Sequence, residues 1–115
     1  MEKKFILDQY YALLCEGKEY SGGMRSAISN YRISLSCNAP EYIVREMPAR
    51  TDIEDFVNLL RISGIWSIVL TDESHRMIEI LHIFAENRCK IDELATVEIT
   101  DESGTRTLKG ICIKL

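Results

Sequence analysis

Thr51-Asp52-Ile53-Glu54-Asp55-Phe56-Val57-Asn58-Leu59-Leu60-Arg61-Ile62-Ser63-Gly64-Ile65-Trp66-Ser67-Ile68-Val69-Leu70 decides the architecture, because it reads as a helix running directly into a buried strand. Thr51 and Glu54 have capping-box spacing, in which hydroxyl and carboxylate each satisfy a backbone N–H that the first helical turn leaves orphaned. Ile53, Phe56, Val57 and Leu60 follow at helical spacing, and Gly64 stands where a left-handed C-terminal cap is wanted. The run from Ile65 to Leu70 is nearly all apolar, as an interior strand lying under helices must be. Trp66 opens that run and reads as a core residue.

Outward from this unit, both sides predict further strands. On the N-terminal side, Tyr31-Arg32-Ile33-Ser34-Leu35-Ser36-Cys37 alternates strictly and predicts a half-buried strand. Asn38-Ala39-Pro40 turns the chain, Glu41 to Met47 returns as the second strand of a hairpin, and Pro48 stops it. On the C-terminal side a helix is expected over about Ser74 to Asn87, with Met77, Ile80, Leu81 and Phe84 as its core stripe. Leu94 to Thr100 reads as a strand, Asp101-Glu102-Ser103-Gly104 as a turn, and Thr105 to Leu115 as the last strand. Leu108 is out of phase with Ile111, Ile113 and Leu115, which predicts a bulge near Gly110.

At the N-terminus, Lys4 to Glu16 places Ile6, Tyr10, Leu13 and Leu14 at helical spacing, with Leu7 and Tyr11 widening the stripe and Gly17 ending it. Lys18 to Asn30 has little periodicity and holds Gly22-Gly23, so it reads as a loop. The expected fold is α+β (mixed α/β): one two-layer domain over residues 1–115, about three helices on a four- to five-stranded, mostly antiparallel sheet. The strand–helix–strand order from Ser67 to Ile99 resembles the first half of an ACT domain. That family's glycine at the strand-to-helix turn is missing here, as are its later helix and strand, and no family is assigned from it.

Composition narrows function. The chain has 115 residues, 46% hydrophobic and 28% charged, which excludes wholesale disorder. Fourteen basic against 18 acidic residues give −4, which argues against a nucleic-acid surface. No stretch approaches the roughly 18–20 apolar residues of a membrane span, and Asp8 interrupts Phe5-Ile6-Leu7 before a secretory signal can form. Cys15, Cys37, Cys89 and Cys112 form no C-x-x-C pair and sit in apolar surroundings, so reduced, partly buried thiols and a cytoplasmic location are expected.

Three groupings carry candidate chemistry. His75, Glu79, His82 and Glu86 line one helical face at ligand-competent spacing, but no second cluster completes a coordination sphere, so a solvated face is expected and no metal or other cofactor. Ser21, Gly22, Gly23, Arg25 and Ser26 form a glycine loop whose N–H groups and arginine could cradle a phosphate. Arg32 and Arg45, expected on the outward faces of the hairpin, are the nearest additional cations. The chain lacks the lysine and spacing of a P-loop, and it offers no nucleophile elbow.

The expectation is a non-catalytic protein-interaction module. One concrete form is a phage- or mobile-element-encoded inhibitor that occludes a host defence complex. The alternative is a small-molecule or nucleotide binder using the Ser21–Ser26 loop. Open hairpin edges, with Gly110 to Leu115 as one of them, further predict a homodimer.

Overall fold

Small residues on one face of residues 22–36 produce the main departure from the sequence reading. In the computed structural model, which describes residues 1–71 and 76–115, this segment is a helix, α2 (Gly22–Ser36). Gly23, Ala27, Ile28, Asn30, Tyr31 and Ser34 form its buried face at spacings of three and four. Two large hydrophobics in that set are too few to register as a stripe, whereas the alternation of Tyr31, Ile33, Leu35 and Cys37 imitates a strand. Neither the expected loop over Lys18–Asn30 nor the strand over Tyr31–Cys37 forms as such. With no strand there, the expected hairpin is absent as well. What returns after Pro40 is a two-residue strand, β1 (Ile43–Val44), which pairs in parallel with the later strand β2 (Ser67–Leu70).

The remaining elements follow their patterns. α1 (Phe5–Cys15) ends at Gly17, whose φ of 98° is left-handed, and it buries Leu7 while Leu13 is exposed. A 3-10 turn (Arg50–Asp52) leads into α3 (Ile53–Ile62), which buries Ile53, Phe56, Val57, Leu59 and Leu60 and is followed by Gly64 at φ 80°. The expected capping box is not made: Thr51 lies inside the 3-10 turn, and α3 starts without a side-chain cap. α4 (Met77–Glu86), β3 (Lys90–Asp101) and β4 (Gly104–Lys114) complete the order.

Among the described residues, four helices and a four-stranded mixed sheet make an α+β domain, one helix more than expected. The strand order is β1-β2-β4-β3, with β2–β4 and β4–β3 antiparallel. β4 is therefore interior, and the expectation that Gly110–Leu115 offers a free edge is wrong; the edges are β1 and β3. The bulge lies on β3 instead of near Gly110. Ile91 faces Ile113 and Leu94 faces Ile111, so Asp92 and Glu93 share one ladder position. Gly110 has a different reason to be glycine: a Cβ there would sit 2.7 Å from both the Leu70 carbonyl and Val69 Cγ1.

One face of the sheet (Val44, Ile68, Leu70, Ile113) packs under all four helices, with Phe56 edge-on to both Tyr42 and Phe84 at 6.4 Å. The other face (Ile43, Val69, Val97, Ile99) packs on Cys37 and Ala39 from the α2–β1 connection. Arg61, on the last turn of α3, holds the two ends of this arrangement together. Its guanidinium donates to the carbonyls of Leu115 (2.7 and 3.0 Å) and Asn87 (3.0 Å).

Candidate functional site

Ser21 to Ser26 open α2 and do not form a loop. Ser21 is the N-cap, its Oγ accepting from the Met24 N–H at 3.3 Å. Gly22 and Gly23 both lack positive φ, so the alternating backbone of an anion nest is absent. Their role is close approach: a Cβ on Gly23 would lie 2.9 Å from the Phe56 nitrogen and 2.9 Å from Asp55 Cβ, and a Cβ on Gly22 would run into the Asp52 carboxylate. The positive end of α2 thus already faces a carboxylate of the same chain.

A shallow groove of about 310 Å³ does bring together Gly22, Arg25, Ser26 and Ser29, with Glu46, Met47 and Pro48 as its other wall. Arg25 is exposed there. Ser26 is engaged structurally, its Oγ donating to the Glu46 carbonyl at 3.4 Å. Arg45 comes near through its backbone: its N–H, like that of Glu46, donates to Asn30 Oδ1, at 2.8 and 3.1 Å. Asn30 Nδ2 in turn donates to the carbonyls of Ser26 (3.0 Å) and Glu46 (2.8 Å). Arg32 is not part of the group. It lies further along α2, with its guanidinium 4.3 Å from the centre of the Tyr11 ring. The Asp52 carboxylate stands at the first turn of α2, where a phosphate would have to approach.

His75 lies outside the described residues. Glu79 is ion-paired with Arg50 (2.7 Å) and Arg76 (3.3 Å), and among the described residues no three His, Cys, Asp or Glu side chains are grouped to hold a metal. His82 instead lines an apolar depression of about 270 Å³ with Ile78, Leu81, Ala85 and Ile91, between α4 and the start of β3. Of the α4 residues, Phe84 is buried, whereas Ile78 is 76% exposed; beside them Leu94 on β3 is 84% exposed. Leu94 and Ile91 lie on the helix-covered side of the sheet, because their ladder partners Ile111 and Ile113 do. Ile78, Leu81, Ala85, Ile91 and Leu94 are thus one continuous apolar strip along an edge strand. The sequence carried this signal in Ile78, which falls outside the core stripe of its helix, and in Leu94, whose odd spacing from Val97 and Ile99 puts it on the opposite face of β3.

Trp66 departs from expectation too. It is 60% exposed and lines a groove of about 500 Å³ with Lys4, Glu41 and Lys114. The displaced protonation equilibria belong to packing positions. Burial raises Tyr42, whose hydroxyl donates to the Ala27 carbonyl at 2.7 Å, and Tyr31, which bonds to Asp8. Burial also pushes the Cys89 thiol up, against the opposing pull of Arg61. No described helix is long and apolar enough to cross a membrane.

No curated protein and no solved structure matches the chain. A family model does match residues 26–110, from within α2 to within β4, including the α4–β3 strip. By that match the chain belongs to the family described as domain of unknown function DUF7698.

Proposed function

We propose that this chain is a small non-catalytic protein-interaction module that takes its partner on the α4–β3 strip. The exposure of Ile78 and Leu94 beside Leu81, Ala85 and Ile91 carries the reading. Contiguous apolar surface left in water costs solvation free energy, and in folded domains it marks docking sites. Catalysis has less support, since the perturbed groups Tyr31, Tyr42 and Cys89 are spread through packing contacts and do not converge on a cleft. The phosphate-binding alternative keeps Arg25 in its favour and has the carboxylate of Asp52 against it. A reducing, cytoplasmic setting suits an exposed Cys15 with no disulfide. Occlusion of a larger complex, as by a mobile-element inhibitor, requires no more than such a face.

Photo-crosslinking in cells tests this. A photoreactive residue at position 78 is expected to trap protein adducts, and the same residue at exposed Glu16 on the end of α1 is not. Leu94→Glu should remove the adducts while far-UV circular dichroism stays unchanged. Equal labelling from positions 78 and 16, or none from 78, refutes the proposal.

A further inference from the structure

We infer that the occupant of this strip is a second copy of the chain, added edge to edge at β3 so that the two β3 strands run antiparallel about a two-fold axis at Leu94. The inference rests on the α4–β3 strip being a protein-docking surface and goes on to name what docks there.

The two edges of the sheet are treated differently. At the β1 edge, α2 lays polar side chains against the backbone: Ser34 Oγ accepts from the Ile43 N–H at 3.0 Å, and Asn30 takes the N–H groups of Arg45 and Glu46. That edge is covered, one of the ways sheets are kept from pairing with other chains. At β3, a single position is closed among the described residues. The Thr100 N–H donates to the Cys37 carbonyl at 2.8 Å, and Asn38 Nδ2 donates to the Thr100 carbonyl at 3.0 Å. These bonds also fix the alternation of the strand. Thr100 directs its main-chain groups away from β4, so Glu98, Thr96 and Leu94 do the same. Among the described residues, the open edge therefore includes Leu94 to Glu98 and stops short of Thr100.

That limit selects the register. Matching two β3 strands end to end would lay the second copy over Thr100, where Cys37 and Asn38 already sit. Centring the pair on Leu94 avoids them. Because Asp92 and Glu93 occupy one ladder position, Leu94 then meets Leu94, and each Thr96 meets Ile91 of the other copy. The apolar strips of the two copies come together at the axis and cover each other. Beyond the axis, Glu98 of each copy overhangs the α4–β3 turn of the other, where Arg88 and Lys90 supply the opposite charge. The acidic bulge faces Ala95, so no like charges are opposed. The contact is self-complementary, as a two-fold interface must be.

Light scattering on the full chain at high micromolar concentration is expected to give twice 13.2 kDa, and Leu94→Glu to return 13.2 kDa with an unchanged far-UV circular dichroism spectrum. Losing two leucines from the axis and opposing two carboxylates should raise the dissociation constant on the order of a hundredfold or more. In a Cys15→Ser background, Leu94→Cys should be joined to itself by a short bis-maleimide, and Thr96→Cys, four ladder positions from its own copy, should not. A wild-type mass of 13.2 kDa throughout, a dimer that survives Leu94→Glu, or equal joining at 94 and 96 overturns the inference. Photo-adducts at position 94 that contain only a different protein also overturn it, yet leave the docking surface standing. Absence of any adduct at 78 or 94 removes both.

Discussion

Asn30 is the position at which one substitution tests how α2 and the β1 edge hold each other. The side chain is fully buried, and its five polar contacts include both the N–H groups of Arg45 and Glu46 and the carbonyl of Glu46. Asn30→Ala strands the two N–H groups, while the Glu46 carbonyl keeps the Ser26 hydroxyl. The Ser26 carbonyl keeps its place in the helix and is not counted. At roughly 1 kcal/mol for each stranded group, the loss is about 2 kcal/mol. For a domain of this length, with an unfolding entropy near 2.1 cal/mol/K per residue, that lowers the melting temperature by roughly 8 °C. Urea unfolding followed by circular dichroism should show a lower midpoint with an unchanged slope.

Asn30→Asp separates hydrogen bonding from volume. It keeps the acceptor for Arg45 and Glu46 but turns the donating nitrogen into an oxygen facing two carbonyls. Burial and those carbonyls favour the protonated acid, so its folded-state pKa rises above the unfolded value of about 3.9. The folded state then binds the proton more tightly. The variant should be most stable below pH 4 and lose stability as pH rises from there to the folded-state pKa. A loss under about 1 kcal/mol for Asn30→Ala, or an Asn30→Asp curve parallel to wild type between pH 3 and 7, refutes the account of this network.

Other expectations follow from the same packing. Arg61→Lys should lose about 2 kcal/mol in urea titration, because one ammonium cannot reproduce the fork that reaches Leu115 and Asn87 together. Gly110→Ala should cost roughly 1–3 kcal/mol by overpacking against Leu70 and Val69, whereas Gly22 and Gly23 resist substitution through Asp52 and Phe56. Tyr42, raised by burial, ionises in the unfolded chain first, so stability falls as pH climbs through about 10; Tyr42→Phe should flatten that limb of an alkaline titration. Nucleotides at millimolar concentration should leave the melting temperature in place, and a shift abolished by Arg25→Ala would revive phosphate binding at the start of α2.

The legible parts of the fold were those whose burial is done by large apolar side chains. α3, β2, α4 and the β3–β4 hairpin announce themselves through Phe56, Ile68, Phe84 and Val97. α2 does not, because its buried face is built from Gly23, Ala27, Asn30 and Ser34, which fit by being small or by hydrogen bonding to main chain. Such a face has no hydrophobic period, and the partners of Asn30 and Ser34 lie nine to sixteen residues away. The strand-like alternation of that one helix predicts a hairpin that the sheet does not contain, with Arg32 and Arg45 on it. The Ser21–Ser26 grouping survived as a neighbourhood, with its glycines serving helix contact. The α4–β3 strip was written in the sequence mainly in Ile78 and Leu94, apolar residues that fall outside the core stripes of their elements.

The position of β4 has a kinetic consequence. It is the last of the four strands to be synthesised, yet it lies between β2 and β3 and bonds to both. A growing chain that has made α1 through β3 can bring β1 against β2, but β3 has nothing to pair with and Leu70 and Phe84 lack the cover of Ile113. Closing the sheet therefore waits on contacts that span more than forty residues, such as Ser67 with Lys114. Folding should be a late, cooperative event with a slow rate for its size, and an intermediate arrested before β4 would expose β2 and β3 to pairing with the wrong strand.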